Sequence, residues 1–128
     1  MPTHALDLIL LPGTFAVCNL CADAAIPGWA TTGNVFSTTR TTGELSIVCE
    51  ESLVPEGVAC ERQWRCFRVA GSMPFSMLGV LASLVQPLAA AGVSLFVIST
   101  FNTDYVLVKE ADLEKAQQAL RQAGHSFQ

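Results

Sequence analysis

One long stretch of this chain carries no charged side chain, and it limits the fold more than any other feature. No Asp, Glu, Lys or Arg occurs between Arg68 and Asp104, and residues 77–99 are apolar enough to cross a membrane. Gln86-Pro87 interrupts this run, however, and Ala91-Gly92 is typical of a helix end. The residues that follow are the β-branched and aromatic types that strands prefer, and no Lys or Arg flanks the run closely. We therefore expect a buried helix followed by a buried strand, and no membrane span.

Apolar spacing places the elements within and after this stretch. Four apolar residues recur at i, i+3, i+4 and i+7: Leu81, Leu84, Val85 and Leu88. This pattern predicts a helix over Ser76–Ala91, capped by the Ser76 hydroxyl. Pro87 should kink or break this helix, because proline removes a backbone hydrogen bond. Strands are predicted over Val93–Ser99 and Asp104–Lys109, joined by a turn.

Glycine and proline divide the rest of the chain into short apolar runs. These runs predict five strands: Leu6–Leu11, Phe15–Leu20, Val35–Thr39, Glu44–Cys49 and Trp64–Val69. A second amphipathic helix is predicted over Ala111–Ala123, ending at Gly124, and residues 125–128 can add a last strand. From residue 64 onward the order is strand, helix, strand, strand, helix and strand. That is the ferredoxin-like βαββαβ pattern of the α+β class.

A faint internal repeat, with an offset of about 60 residues, relates the two halves of the chain. Residues 37–48 resemble residues 98–108 once Gly43 is treated as an extra residue, and Glu44 then lies opposite Asp104. The repeat predicts two related units in tandem, with a much reduced helix in the first unit. Their expected bounds are residues 1–63 and residues 64–128.

Composition excludes several classes of protein. Hydrophobic residues make up 51% of the chain and charged residues 14%, which excludes a disordered chain and leaves apolar surface that a second subunit can cover. The net charge is −4 and no Lys/Arg cluster occurs, so nucleic acid is not an expected partner. The five cysteines are odd in number and the start of the chain lacks a basic leader region. We therefore expect reduced thiols and a cytoplasmic protein.

The sequence from Phe67 to His125 resembles an ACT domain, above all through GVLASL and PLAAAGVSLFVISTFNTDYVLV. Through LPGTFAVCNL, IPGWA and TTGELSIVC, nearly the whole chain is similar to small bacterial proteins built from two ACT-like units. The same unit is duplicated in the animal cytosolic arginine sensors. The resemblance implies two ferredoxin-like units that bind a small molecule, most often an amino acid, where two units meet. It also implies a regulatory protein that catalyses nothing itself and acts on an unidentified partner.

The resemblance places one part of the ligand site at the start of the helix predicted over Ser76–Ala91. The backbone of Gly79 and Val80, with Leu78 beside them, matches positions that approach the ligand in the related sensors. Free N–H groups in a first helical turn attract a carboxylate, and a glycine lets a ligand approach closely. In the alternative interpretation, Ser76 simply caps the helix and Gly79 packs against a strand.

The resemblance places the second part of the site where the next strand ends. Asp104 matches a family acid that faces the polar groups of the ligand, and an α-ammonium needs such an anionic acceptor. Thr100, Phe101 and Asn102 adjoin it and can line the same pocket. In the alternative interpretation, Asp104 bonds the backbone of its own turn, as aspartates in turns often do.

One departure from the arginine sensors concerns the ligand. The sensors carry an acidic residue just before the matching helix, where this chain has Met77. A thioether cannot pair with a buried guanidinium, so we expect a neutral amino acid and not arginine. The sensor pocket lies between two copies of the C-terminal unit, and this chain carries one copy. The resemblance therefore implies a homodimer.

Two other functions remain open at this point. A protein-interaction or dimerisation scaffold with the same fold would need no ligand. Cys18 and Cys21 form a CxxC motif, which can indicate thiol chemistry. A redox CxxC usually opens a helix, however, whereas residues i and i+3 of a strand face opposite sides. The pattern therefore favours buried structural cysteines.

The sequence gives no indication of a metal site or of a Cys-His or Ser-His-Asp catalytic group. Cys60 and Cys66 are six residues apart, so the chain lacks a second cysteine pair at metal-ligand spacing. His4 lies near the start of the chain and His125 follows a predicted helix end, and neither has an obvious partner. We therefore predict no metal site, no cofactor and no catalytic residues.

Overall fold

A computed structural model describes residues 5–71 and 79–128. Within these residues lie the eight predicted strands: β1 (Asp7–Leu10), β2 (Phe15–Leu20), β3 (Ser37–Arg40), β4 (Leu45–Glu50), β5 (Cys60–Val69), β6 (Leu95–Ser99), β7 (Asp104–Lys109) and β8 (Ser126–Phe127). The described helices are α1 (Val80–Ala90) and α2 (Leu113–Gln122), with three 3-10 turns at Gly28–Thr31, Glu51–Leu53 and Glu110–Asp112. Neither described helix has the length and apolar character needed to traverse a membrane.

The chain packs as two units. The small unit is Gly13–Trp64, and the large unit combines the residues up to Pro12 with Arg65–Gln128. The boundary expected near residue 63 lies close to the observed one at Trp64, but the first twelve residues belong to the other unit. The physical reason is that β1 pairs antiparallel with the second half of β5, where Leu8 lies opposite Val69.

The small unit keeps the strand order of a ferredoxin-like fold without its α-helices. Its strands follow the order β3-β4-β2-β5, with β5 contributing its first residues. The 3-10 turns at Gly28–Thr31 and Glu51–Leu53 stand where such a fold has helices. Its core consists of small and medium side chains: Ala16, Cys18, Ala30, Leu45, Ile47, Cys49 and Val54. The prediction of a helix-reduced first unit is confirmed.

A bulge interrupts the pairing of β2 with β5 in the small unit. Phe15 lies opposite Trp64 and Val17 lies opposite Glu61, so β5 carries one extra residue between them. Gln63 has a positive φ of 64°, and its backbone N–H donates to Glu51 Oε1 at 2.8 Å. This carboxylate therefore stabilises a backbone conformation that non-glycine residues rarely adopt.

The large unit is the complete βαββαβ fold with one added strand. Its strand order is β6-β7-β5-β1-β8, so β1 lies between the first and last strands of the motif. The helices supply Leu84, Leu88, Ala116 and Leu120 to a core that the sheet completes with Leu8, Phe67, Val69, Val106 and Val108. The predicted α+β class and ferredoxin-like pattern are confirmed.

Helix α1 begins later than predicted but ends within one residue of the predicted end at Ala91. It begins at Val80, with Gly79 at the N-cap position and a φ of 79°, whereas the predicted cap, Ser76, lies outside the described residues. The helix does not end at Pro87 but continues to Ala90. Gly79 is needed at this position because a positive φ is strained for residues with a side chain.

A buried histidine compensates for the proline in α1. Pro87 has no N–H for the carbonyl of Ser83, four residues earlier, and His125 Nε2 lies 2.8 Å from that oxygen. The Leu6 N–H donates to Nδ1 of the same ring at 3.1 Å. These two bonds assign the neutral tautomer with the proton on Nε2. The expectation that His125 lacks a partner is therefore wrong; it is 3% exposed and fully bonded.

Candidate functional site

The β6–β7 turn, one of the predicted site segments, lies at the end of the large unit's sheet where β5 finishes. Strand β6 ends at Ser99 and β7 begins at Asp104, which lie opposite each other. The Thr103 hydroxyl donates to the carbonyl of Val69 at 2.9 Å, so β7 begins where β5 ends. Helix α1 returns the chain from β5 to the start of β6, so it begins on the side of the sheet where β5 ends.

The turn between β6 and β7 is closed by its own threonines. The Thr100 N–H and hydroxyl both donate to the carbonyl of Thr103 at 2.9 Å, and the Thr103 N–H donates back to Thr100 Oγ1 at 3.2 Å. Phe101 and Asn102 form the exposed tip, where Phe101 is 80% exposed. These hydrogen bonds therefore fix the position of Asp104, the residue that follows the turn.

Asp104 is a half-buried carboxylate at the first position of β7. The side-chain bonds of the turn come from Thr100 and Thr103, so the alternative in which Asp104 closes its own turn is wrong. Within residues 5–71 and 79–128, its carboxylate has no hydrogen-bond or ion-pair partner. Such a carboxylate can accept a hydrogen bond from a cationic donor without first breaking another hydrogen bond.

The start of α1 supplies groups of the opposite sign. The first-turn N–H groups have no acceptor within the helix, and no side chain of the described residues caps them. Gly79 is exposed and Val80 is buried, so the glycine backbone is the accessible part. The positive end of the helix dipole adds to the attraction for an anion. The predicted site residue Leu78, like Met77, lies outside the described residues.

The small unit repeats the turn but not the acid. The Thr41 N–H donates to the carbonyl of Glu44 at 2.9 Å, and Thr41 Oγ1 accepts from the Gly43 and Glu44 N–H groups. Residues 41–44 thus match residues 100–103 without an insertion. The position of Asp104 is occupied by Leu45, so the alignment of Glu44 with Asp104 is wrong. The small unit, which also has no described α-helix, lacks both parts of the candidate site.

The three buried cysteines, Cys18, Cys49 and Cys66, are not activated thiols. Burial raises the pKa of Cys18 to about 12, with contributions from the neighbouring Cys49 and Cys60 thiols, and burial alone raises the pKa of Cys66 to about 12. Cys18 is buried in β2, whereas Cys21 lies beyond the strand and is exposed. Across the described part of the chain, no group of His, Cys, Asp and Glu side chains is arranged to hold a metal ion.

Comparisons with known proteins agree with this architecture. Residues 59–122 match the family model of the ACT domain, and residues 13–57 match a second family model, of an N-terminal domain. The structure superimposes on Atu0741 from Agrobacterium tumefaciens with a TM-score of 0.93 and 40% sequence identity, covering 98% of this chain and 94% of that one.

The chain is also similar, over a shorter stretch or at lower identity, to proteins whose names describe a regulatory role. The human cytosolic arginine sensor for mTORC1, subunit 1, is 46% identical over 48 residues, which are 37% of this chain and 15% of the sensor. The regulatory subunit of aspartate kinase from Thermus flavus has a TM-score of 0.64 at 14% identity, covering 94% of this chain and 99% of that one. The second similarity concerns the fold alone.

Proposed function

Because this chain belongs to the ACT-domain family, we propose that it is a non-catalytic regulatory module that binds a free amino acid in the cytoplasm. The observation that carries the proposal is the half-buried carboxylate of Asp104, which lacks a partner among the described residues and begins β7 at the sheet end where β5 finishes. The similarity to the arginine sensor supports a regulatory role in general.

The two parts of the site match the two charges of an amino acid. The α-ammonium bonds Asp104, and a charge-assisted hydrogen bond of this kind contributes about 1.5–3 kcal/mol. The α-carboxylate bonds the first-turn N–H groups of α1, where Gly79 leaves room for its approach. In this proposal Thr100, Phe101 and Asn102 border the ammonium side of the pocket.

The proposed ligand is a neutral amino acid. The resemblance to the arginine sensors implies an acid at position 77, where this chain has Met77. A guanidinium buried beside a thioether would lose its hydration without gaining an ion pair. An uncharged side chain avoids this cost.

The proposed assembly is a homodimer with the ligand where two large units meet. Strand β6 lies at the end of the described strand order and pairs with β7 alone. Its residues Leu95, Phe96, Val97 and Ile98 are all half-buried and apolar. An apolar edge strand is a surface that a second chain can cover, and a protein regulated by the dimer is its further partner.

Calorimetric titration with the twenty amino acids tests this function. Wild-type protein is expected to bind at least one neutral amino acid, and Asp104→Asn to weaken that binding about tenfold or more by removing the charge at constant shape. Glu44→Gln is the matched control, since Glu44 is an exposed acid in the corresponding turn of the small unit. Binding that is absent in wild type, or equal in Asp104→Asn, would overturn the proposal; a dimer that binds no amino acid would favour the scaffold function instead.

A further inference from the structure

Two cysteines of the small unit lie directly opposite each other on neighbouring antiparallel strands. Cys18 on β2 is the register partner of Cys60 on β5. The adjacent pair carries the hydrogen bond, since the Asn19 N–H donates to the carbonyl of Ala59 at 2.9 Å. Cys18 and Cys60 therefore form a non-hydrogen-bonded pair, in which the Cα atoms of antiparallel strands lie about 4.5 Å apart and the side chains are closest.

This geometry suits a disulfide bond. Disulfides join Cα atoms about 4.4–6.8 Å apart with Cβ atoms on the same side, and opposed residues of adjacent strands meet both conditions. Both thiols face one core, because Cys18 is part of the small unit's buried cluster and Cys60 packs against it. A contact with the Cys60 thiol is also among the causes that raise the pKa of Cys18.

The other cysteines are less suited to pair with Cys18. Cys21, its partner in the CxxC motif, is exposed beyond the end of β2. The Cys49 thiol also contacts Cys18, but Cys49 is buried on β4 and its register partner is Ala16, so the two cysteines are not directly opposed. Cys66 belongs to the large unit.

We propose that Cys18 and Cys60 are a redox pair that forms an intramolecular disulfide when a peroxide is present. Cys60 is half-exposed and reacts first: its sulfur takes one oxygen from hydrogen peroxide and becomes a sulfenic acid, releasing one water. The sulfur of Cys18 then attacks the Cys60 sulfur, and the sulfenic oxygen leaves as a second water. In sum, two thiols and one hydrogen peroxide give one disulfide and two waters.

The attack of Cys18 on the Cys60 sulfenic acid is slow, and the disulfide that it forms stabilises the folded protein. Cys18 is 1% exposed and carries little thiolate at neutral pH, so the disulfide accumulates under sustained peroxide and not within a brief pulse. The bond ties β2 to β5 and closes the chain between them, which restricts the unfolded state. We expect Tm to rise by roughly 5–10 °C on oxidation and to return after reduction.

Peptide mapping of the full chain tests the pair. The protein is treated with hydrogen peroxide, alkylated and digested; cleavage after Leu20 separates Cys18 from Cys21, and cleavage after Glu50 separates Cys49 from Cys60. The expected product is a Cys18–Cys60 cross-linked peptide whose mass is lower by two hydrogens and which dithiothreitol removes. Cys60→Ser should abolish it, whereas Cys21→Ser should form it as wild type does.

Three outcomes would overturn the pairing. They are a cross-link that includes Cys21 or Cys49, a dimer linked between chains, and stepwise over-oxidation of Cys60 without any cross-link. Because Cys60 is half-exposed, the Cys60→Ser protein should fold, and a far-UV circular dichroism spectrum matching wild type verifies this before the result is read.

Discussion

His125 Nε2 lies 2.8 Å from the carbonyl oxygen of Ser83, the helical acceptor that loses its backbone donor to a proline. The bond explains how α1 keeps Pro87 in its interior without exposing the freed carbonyl to the core. It also joins α1 to the residues that follow α2, because His125 lies just before β8. A single buried side chain thus replaces the missing helical hydrogen bond and links two elements of the large unit.

Replacing His125 should therefore destabilise the protein through two unpaired backbone groups. His125→Phe leaves the Ser83 carbonyl and the Leu6 N–H without partners, at an expected cost of about 1–3 kcal/mol in the free energy of unfolding. Urea unfolding measures this cost. In a Pro87→Ala background the Ala N–H serves the Ser83 carbonyl, so the same replacement should cost about 1 kcal/mol less. If His125→Phe lowered the free energy of unfolding equally in wild type and in Pro87→Ala, His125 would not be compensating for Pro87.

Thr103 should matter for both stability and binding. Thr103→Val keeps the shape of the side chain but removes the bond to the Val69 carbonyl, so we expect a loss of about 1–2 kcal/mol by urea unfolding. Calorimetry should show weaker amino-acid binding, because this bond sets where β7 and Asp104 begin. Thr39→Val, on an exposed position of β3, is the control and should leave both quantities unchanged.

Gly79 should tolerate no side chain without a cost to the site. At a φ of 79°, Gly79→Ala is expected to lower the free energy of unfolding by about 1 kcal/mol. The shifted start of α1 should reduce amino-acid affinity about tenfold, as titration can measure. Gly28→Ala is a fair comparison because an added Cβ there meets nothing within 4 Å and its φ is negative. A similar loss of affinity in both variants would exclude a specific role for Gly79.

Alkaline pH should destabilise the protein through its buried thiols. The pKa of Cys18 and Cys66 is about 12 in the folded state against an ordinary value of 9.0, so the folded state keeps protons that the unfolded state releases. The stabilisation of the folded state by these protonated thiols is complete below pH 9 and is lost as pH rises from 9 toward 12. For each thiol, the free energy of unfolding falls by up to about 1.4 kcal/mol per pH unit. Urea unfolding at pH 8, 9 and 10 measures this slope. Cys66→Ala should reduce it, and Cys21→Ser, at an exposed position, should not.

The proposed dimer should depend on the face of β6 that does not pack on the helices. Leu95 and Val97 pack against the core of the large unit, so Ile98 points to the other face by strand alternation. Ile98→Lys is expected to shift a dimer to monomers in light scattering, because it places a charge in the proposed contact. Ile26→Lys replaces an exposed apolar residue of the small unit and should leave the mass unchanged. Monomeric wild-type protein would contradict the proposed assembly directly.

Sequence patterns predict the helices and strands well because each of these elements depends mainly on neighbouring residues. The i, i+3, i+4 spacing placed the body of α1, and apolar runs between glycines and prolines placed all eight strands. The same spacing predicts too early a start for α1, because a leucine pattern carries no information about the positive φ of Gly79. The turn at Thr100 was recognised through its repeat at Thr41, but the exact alignment required the hydrogen bonds.

The features that were missed depend on residues far apart in sequence. The bond from His125 to Ser83 spans β6, β7 and α2, although a proline inside a predicted helix signals that some buried donor must serve the carbonyl four residues earlier. The sequence does not distinguish Thr103 from its exposed neighbours, because its hydrogen-bond partner is the distant carbonyl of Val69 at the end of β5. The pairing of β1 with β5 was missed for the same reason: sequence order assigns β1 to the residues that follow it.

The insertion of β1 between β5 and β8 has a consequence for synthesis on the ribosome. The small unit is contiguous in sequence, so it can fold as soon as Trp64 has left the exit tunnel. The large unit needs both β1, which precedes the small unit, and β8, which follows α2, because Leu8 pairs with Phe127. The residues of β1 must therefore stay unpaired with β8 until Phe127 has left the exit tunnel.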